Sequence, residues 1–396
     1  PVLLKGKDIL GSAQTGTGKT AAFAIPILQN IHLEKNNKTE KRVIKSLILA
    51  PTRELAIQIF DNFVEYGKNL DIKTTVIYGG VPQSKQVRTL NKGVDILVAT
   101  PGRLLDLIQQ GKLTLSHVSY LVLDEADRML DMGFVRDVKK IVAMVKKERQ
   151  TMFFSATLPK SIMSLANEML HNPVRVMVTP EEEMIDKIKQ SVIIVEKKKK
   201  INLLIKLLQN KDLKSVLVFS RTKHGANKIV QKLEEAGIRA SAIHGNKSQS
   251  ARQKALALFK NKKVGVLVAT DIAARGIDVD ELSHVINFDL PEVPETYIHR
   301  IGRTGRAGLS GVAITFCSQE EANLLRDIQK HIQMNIPVTI IPMYSVEHIT
   351  TFSRPGNKKP HKKSNPRKRS KNNSSKPKSS SKYNNNNNHS RKTTKK

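Results

Sequence analysis

Two short segments carry residue types and spacings suited to phosphate chemistry. Residues 13–20 read Ala-Gln-Thr-Gly-Thr-Gly-Lys-Thr, and Asp124-Glu125-Ala126-Asp127 follows the apolar run Tyr120–Leu123. In the first, the backbone of Ala13, Gln14, Thr15, Gly16, Thr17 and Gly18 would wrap phosphates, its glycines letting N–H groups converge on them. Lys19 would place a point charge near the β- and γ-phosphates, and Thr20 a hydroxyl on magnesium. The general pattern has glycine where this chain has Ala13. A chance Gly/Thr turn is the competing reading, but a strand-like run before and a helical pattern after favour the cradle. Magnesium prefers hard oxygen ligands, so Asp124 would hold it directly or through water. Glu125 would then orient or deprotonate the attacking water. Two adjacent acids alone read as a solvated turn; Lys19-Thr20 in the same half tips the balance towards triphosphate hydrolysis.

A third segment adds cations. Residues 299–306, His-Arg-Ile-Gly-Arg-Thr-Gly-Arg, hold three arginines and two glycines. An arginine finger crossing to a γ-phosphate is worth about 10³–10⁵ in rate, and the planar guanidinium fork suits phosphate oxygens. Alone, this segment would read as a basic helix face. With a cradle elsewhere in the chain, the finger role is favoured.

The elements that must position these groups follow from short apolar runs. In the first half these are Asp8–Leu10, Leu47–Ala50, Ile96–Ala99, Tyr120–Leu123 and Met152–Phe154, each followed by polar or glycine-containing residues. In the second half they are Val216–Phe219, Ala240–Ile243, Val264–Ala269, His284–Phe288 and Val312–Phe316. Buried parallel strands look like this. Amphipathic segments intervene at Glu54–Leu70, Arg128–Val145, Thr222–Ala236, Ser248–Phe259 and Glu320–Ile332. The pattern predicts an α/β protein of two tandem parallel-sheet domains, residues 1–178 and 190–343, joined by a polar linker at 179–189. Only the first has a cradle. Ligands of open α/β sheets bind beyond the carboxyl ends of the strands, so the strand-end residues are expected to share one site.

Charge points to the partner. The chain has 396 residues and a formal net charge of +32, which favours a polyanion such as nucleic acid or an acidic surface. Residues 351–396 contain 16 Lys/Arg and no acid. The Lys/Asn/Ser-rich stretch 344–396 has almost nothing to bury and is expected to be disordered, a non-specific tether for a polyanion. No apolar stretch reaches bilayer-spanning length and no secretory signal opens the chain. Cys317 is the only cysteine, which suits a reducing, cytoplasmic setting.

As an ordered set, these residues resemble the DEAD-box RNA helicases, whose fold is two RecA-like domains. The likeness runs from residue 1 to about 335: AQTGTGKT at 13–20, PTREL at 51–55, Gly79-Gly80, TPGR at 100–103, DEAD at 124–127 and SAT at 155–157. It continues with VLVFSRTK at 216–223, HGNKSQSAR at 244–252, VATDIAARGID at 268–278 and HRIGRTGR at 299–306. DRMLDMGF at 127–134, RTKHGANK at 221–228 and the basic tail look like the bacterial RhlE-type subgroup.

The resemblance implies ATP and Mg²⁺ as cofactors, with the roles above for Lys19, Thr20, Asp124 and Glu125. It implies that Asp127 and His299 link the acidic box to the second domain, and that Ser155 and Thr157 couple hydrolysis to strand separation. Asp278 would meet the ribose, and Arg303 and Arg306 the γ-phosphate. RNA backbone contacts would fall on Pro51, Thr52, Arg53, Gly80, Thr100, Gly102 and Arg103, and near Arg221, Arg252 and Thr270. It also implies an upstream adenine-reading segment, expected to be missing from a chain that starts at Pro1. A monomer meeting ribosome-assembly or RNA-decay proteins is the expected setting. The competing readings are a DNA-directed translocase and a non-catalytic RNA clamp.

Overall fold

The computed structural model describes residues 1–13, 17–35, 42–177, 188–210, 212–274, 282–305, 311–341 and 343–344. The first half forms strands β1 Ile9–Ser12, β2 Ser46–Leu49, β3 Thr74–Ile77, β4 Ile96–Ala99, β5 Tyr120–Leu123, β6 Gln150–Ser155 and β7 Val174–Met177. Its helices are α1 Lys19–Lys35, α2 Arg53–Tyr66, α3 Gln83–Asn91, α4 Pro101–Gln109, α5 Ala126–Asp131, α6 Val135–Ala143 and α7 Lys160–Met169. The second half forms β8 Ile188–Ile194, β9 Val216–Phe219, β10 Ala240–Ile243, β11 Val266–Ala269, β12 His284–Asn287, β13 Gly311–Cys317 and β14 Val338–Ile340. Between these strands lie α8 Lys200–Leu208, α9 Lys223–Glu235, α10 Gln249–Lys260, α11 Asp271–Ala274, α12 Pro294–Ile301 and α13 Ala322–His331.

Both sheets are parallel and seven-stranded. Their orders are β3-β4-β2-β5-β6-β1-β7 and β10-β11-β9-β12-β13-β8-β14. Adding seven to each number of the first order gives the second, so the two lobes share one topology. Both belong to one compact unit.

The period of two along a strand explains the core. Leu47, Leu49, Leu97, Ala99, Leu121 and Leu123 pack on one face of the first sheet. Ile48, Ile96, Val98 and Val122 pack on the other. With helices covering both faces, β2 and β4 are buried at every position. That is why these runs read as uninterrupted apolar segments.

Three sequence expectations change. Arg128–Val145 is not one helical segment but two, α5 and α6. Gly133 between them takes φ +79°. Its N–H donates to the Leu130 carbonyl (2.9 Å) and that of Phe134 to the Met129 carbonyl (2.9 Å), the Schellman closure that ends helices at left-handed glycines. The expected linker 179–189 is shorter at its end, since Ile188 and Lys189 pair with Gly311 and Val312 in the second sheet; residues 179–187 lie outside the described residues. Finally, β3, β7, β8 and β14 join the anticipated strands. β7 and β14 are exposed at every position, so they lack the apolar run that marks a buried strand. The expected disordered tail lies outside the described residues beyond Tyr344. Among the described residues no helix is long and apolar enough to cross a membrane.

Candidate functional site

The carboxyl ends of β1, β5 and β6 bring the phosphate-handling residues together. Lys19, the first residue of α1, donates from Nζ to the Ala13 carbonyl (2.7 Å) and lies 3.9 Å from Asp124 Oδ1. Gly18 takes φ +84°, with open space where a Cβ would point. Thr20 follows on α1. Gln14, Thr15 and Gly16 lie outside the described residues, as do Asp278 and Arg306.

Asp124 and Glu125 are 2% and 3% exposed. Burial is the main influence on Asp124, pushing its carboxyl up to about 6, with Glu125 adding to the rise and Lys19 opposing it. Burial would raise Glu125 too, but Arg128, Arg303 and Lys19 together outweigh it and hold the carboxyl below its ordinary range. Arg128 Nη1 meets Glu125 Oε2 at 2.6 Å. Glu125 itself sits at φ +54°, a left-handed conformation that costs an L residue about 1–2 kcal/mol. Strain of this kind persists only where the surroundings over-determine it.

Asp127 links this acidic turn to the end of β6. Its Oδ2 accepts from the Thr157 N–H (3.0 Å) and hydroxyl (3.2 Å). Ser155 Oγ donates to the Thr157 carbonyl (2.6 Å) and accepts from the Asp127 N–H (3.3 Å). Asp127, Thr157 and His299 line one interlobe cavity of about 640 Å³.

From the second lobe, Arg303 is 5% exposed, and its Nε donates to the His299 carbonyl (3.3 Å). Its charge acts on Glu125 across the gap. Arg300 is committed within its own lobe: it grips both Asp271 oxygens (2.6 and 2.8 Å), donates to the Asp289 carbonyl (2.6 Å) and stacks over Phe219. Of the arginines in 299–306 that are described, only Arg303 thus acts on the acidic pair.

A second cleft, of about 480 Å³, gathers most of the strand-end residues expected to meet RNA, while Gly80, Arg221 and Thr270 are not among those that line it. Pro51, Thr52, Arg53, Gly79, Thr100, Gly102 and Arg103 line it from the first lobe, and Gly245, Arg252 and Ile272 from the second. The N-termini of α2 and α4 open onto it, presenting unpaired N–H groups and the positive end of the helix dipole to an anion. Thr52 caps α2, its Oγ1 accepting from the Leu55 N–H (3.3 Å), and Thr100 is the N-cap of α4. Gly80, at φ +77°, lets Arg53 lie against its Cα, where a Cβ would collide with the guanidinium. Arg103 braces this turn by donating to the Val81 carbonyl (3.3 Å). Thr270 follows β11 and its carbonyl accepts from Ala273 and Ala274. Burial first, then Lys247, His224, Lys223 and Arg252, hold the His244 imidazole below its ordinary range, which shows how positive this edge is.

Arg252 differs from expectation. It is 8% exposed and its Nη2 binds Glu54 Oε2 at 2.8 Å. Gln249 Nε2 donates to the other Glu54 oxygen (3.0 Å). Both Glu54 oxygens are therefore held by the opposite lobe, making this trio an interlobe clamp at the cleft. Sequence alone does not mark Glu54, Gln249 and Arg128. Glu54 lies inside the PTREL segment, and Arg128 directly follows DEAD.

Comparison with known proteins agrees with this geometry. Residues 1–165 match the DEAD/DEAH box helicase model, and 199–308 the helicase conserved C-terminal domain. The chain is 43% identical over 330 residues to the DEAD-box ATP-dependent RNA helicase CshA of Geobacillus kaustophilus, covering 83% of this chain and 69% of that protein. The chain belongs to the DEAD-box ATP-dependent RNA helicases. This family's members include DEAD-box ATP-dependent RNA helicase 20 of Arabidopsis thaliana, 43% identical over 84% of this chain and 67% of that protein. Among solved structures, S. cerevisiae Dbp5 bound to RNA and ADP BeF3 has a TM-score of 0.74 at 32% identity, covering 84% of this chain and 85% of that one. The chain spans 62% of the Listeria monocytogenes relative. The DEAD box of this chain is Asp124–Asp127, at the end of β5.

Proposed function

We propose that this chain hydrolyses ATP to open short RNA duplexes or remodel RNA–protein complexes. One observation carries the reading: a single arrangement joins an acidic, lysine-bearing phosphate site to Arg303 and, separately, closes a basic cleft from both lobes. ATP is gripped by the 13–20 loop and Lys19, and RNA by backbone contacts from Pro51, Thr52, Arg53, Gly80, Thr100, Gly102, Arg103, Arg221 and Thr270. Phosphate contacts position a protein on nucleic acid without reading its sequence. Both ligands favour the closed arrangement, so together they shift the population towards it.

The donor set fits magnesium: the Thr20 hydroxyl and the buried, otherwise poorly compensated Asp124 carboxylate are hard oxygen ligands. When bound, the ion neutralises charge on the phosphates. Glu125, kept ionised by Arg128 and Arg303, orients and deprotonates the attacking water, and Arg303 stabilises charge on the γ-phosphoryl group. Asp127 transmits closure through Thr157 and Ser155. A monomer suffices for this cycle, since one chain supplies both lobes. The RhlE-type placement stays with this reading, resting on the residues of 127–134 and 221–228.

The test is ATP turnover without nucleic acid, with RNA and with DNA of equal length. RNA should stimulate strongly and DNA weakly. Equal stimulation would favour a DNA-directed translocase, and no turnover with RNA a non-catalytic clamp.

A further inference from the structure

The duplicated topology places two lysines in equivalent positions. Strand β1 is followed by α1, whose first residue is Lys19; β8 occupies the same place in the second sheet and is followed by α8, whose first residue is Lys200. Lys19 lies 3.9 Å from the acid after β5. Lys200 lies 3.8 Å from Asp289, just past β12, the counterpart of β5. The segment between β8 and α8 in the second lobe, residues 195–199, reads Val-Glu-Lys-Lys-Lys and holds no glycine. What meets Lys200 is a carboxylate: Glu321 Oε2 at 2.6 Å, beside the Phe288 carbonyl at 2.7 Å.

Glu321 accepts from donors of four segments. Besides Lys200, its Oε2 takes the Ser318 N–H (3.0 Å) and hydroxyl (2.9 Å). Its Oε1 takes the Leu290 N–H (3.3 Å) and Arg221 Nη2 (3.2 Å). A convergence of lysine, arginine, hydroxyl and backbone N–H groups is what a phosphate receives in a nucleotide site. Here a side chain of the protein itself receives it. Lys200 is 2% exposed, and an ammonium buried so completely requires a paired anion.

We propose that the second lobe retains a phosphate cradle whose anion is now internal, Glu321, and that this anion positions Arg221 for the RNA backbone. The proposal rests on the reading of Arg221 as an RNA contact. One guanidinium corner, Nη2, is held by Glu321 and the Leu290 carbonyl (3.4 Å), and the Arg221 N–H by Asp289 Oδ2 (2.9 Å). The side chain stays 40% exposed, so a held arginine still faces solvent, near Glu292 at 4.0 Å. Asp289 also ties this loop to α12, since its carbonyl accepts from Arg300 at 2.6 Å. Glu321 is thus a positioning residue, touching neither ligand.

The test uses the full chain with a decameric uridine RNA, and compares Glu321→Gln, Arg221→Ala, their combination, and Lys200→Met/Glu321→Gln. The last removes both buried charges together, so it should melt close to the parent even if Glu321→Gln alone does not fold. Readouts are the thermal melt, the RNA concentration giving half-maximal ATPase, and turnover at saturating RNA. Arg221→Ala and Lys200→Met/Glu321→Gln should each raise the half-saturating RNA about tenfold, the low end for one charge-assisted hydrogen bond. Saturated turnover of Lys200→Met/Glu321→Gln should stay within about twofold, because RNA binding rather than chemistry is affected. In the Arg221→Ala background, Glu321→Gln should add nothing. A folded Lys200→Met/Glu321→Gln protein with unchanged RNA half-saturation would overturn the positioning role while leaving the RNA reading intact. If Arg221→Ala itself changed nothing, the RNA reading of Arg221 would fall and the positioning role with it.

Discussion

Glu54→Gln should weaken closure of the two lobes without weakening either lobe's fold. The substitution keeps volume and shape but removes the negative charge facing Arg252, which is 8% exposed and has an Nε without a partner. Removing one partner of a buried ion pair costs about 3–5 kcal/mol when the survivor must stay buried. Here it need not: opening the lobes returns Arg252 to water. The loss then falls near that of a hydrogen bond to a charged group, about 1.5–3 kcal/mol. At 1.36 kcal/mol per tenfold, the closed-to-open ratio falls about 10- to 150-fold. Dyes on one introduced surface cysteine per lobe would report it, since the native Cys317 is buried. With ATP and RNA present, the parent should show the short interlobe distance and Glu54→Gln a mostly long one. Arg252→Met, and the double variant, complete a cycle. A coupling below about 0.5 kcal/mol, the scatter for independent sites, would refute the clamp, as would a Glu54→Gln protein that melts early yet closes normally.

Four further outcomes follow from the same structure. Glu125→Gln should retain ATP binding, measured by fluorescent-nucleotide titration, while turnover falls at least about 10²-fold, the lower bound for a general base; Lys19→Ala should instead lose nucleotide binding. Burial pushes the Cys317 thiol up to about 12, so iodoacetamide at pH 8 should label it only as fast as the second lobe unfolds. Glu321 is held below its ordinary 4.5, Lys200 and the Ser318 donors outweighing burial. A depressed carboxyl stabilises the fold above about pH 4.5 and loses that contribution as pH falls through its folded value, so acid melts of the second lobe should lose this slope in Glu321→Gln. Removing residues 351–396 should flatten the salt dependence of RNA binding yet leave RNA-stimulated hydrolysis measurable; an unchanged slope would count against the tether.

Residues whose function is local were legible in the sequence. Lys19 and Thr20 sit within a few positions of the glycines that shape their loop, and Asp124 directly follows the apolar run that buries β5. Strands β2, β4, β5, β9 and β11 could be read because burial on both faces leaves an unbroken apolar run. Edge strands β7 and β14 could not, since exposure removes that signal. Residues whose function depends on a distant partner also stayed hidden. Glu54 and Arg252 are 198 positions apart, and Lys200 and Glu321 are 121 apart. Nothing in the types Glu and Lys, common on any surface, shows that these are buried. Arg128 was obscured for another reason: a cation beside an acidic cluster reads as a surface pair, yet it is 4% exposed and fixes the ionisation of Glu125.

The shared topology gives these hidden residues a common logic. Each lobe places a lysine at the start of the helix after the same strand, and each leaves that lysine facing an acid near the end of another. In the first lobe the described lysine and acid are less closely matched. Asp124 is buried with its nearest cation at 3.9 Å, and the carboxyl is pushed upward, as expected for a site that a cation and a triphosphate would complete. In the second lobe Glu321 closes the circuit, and its carboxyl is held down instead. On the proposed function, the same fold therefore yields a ligand site in one copy and an internally paired scaffold in the other. Asymmetry of this kind suits a two-lobed machine, because only one lobe should change its electrostatics when nucleotide arrives. On the proposed reading, the other presents Arg303 and Arg221 from a framework that nucleotide leaves unchanged.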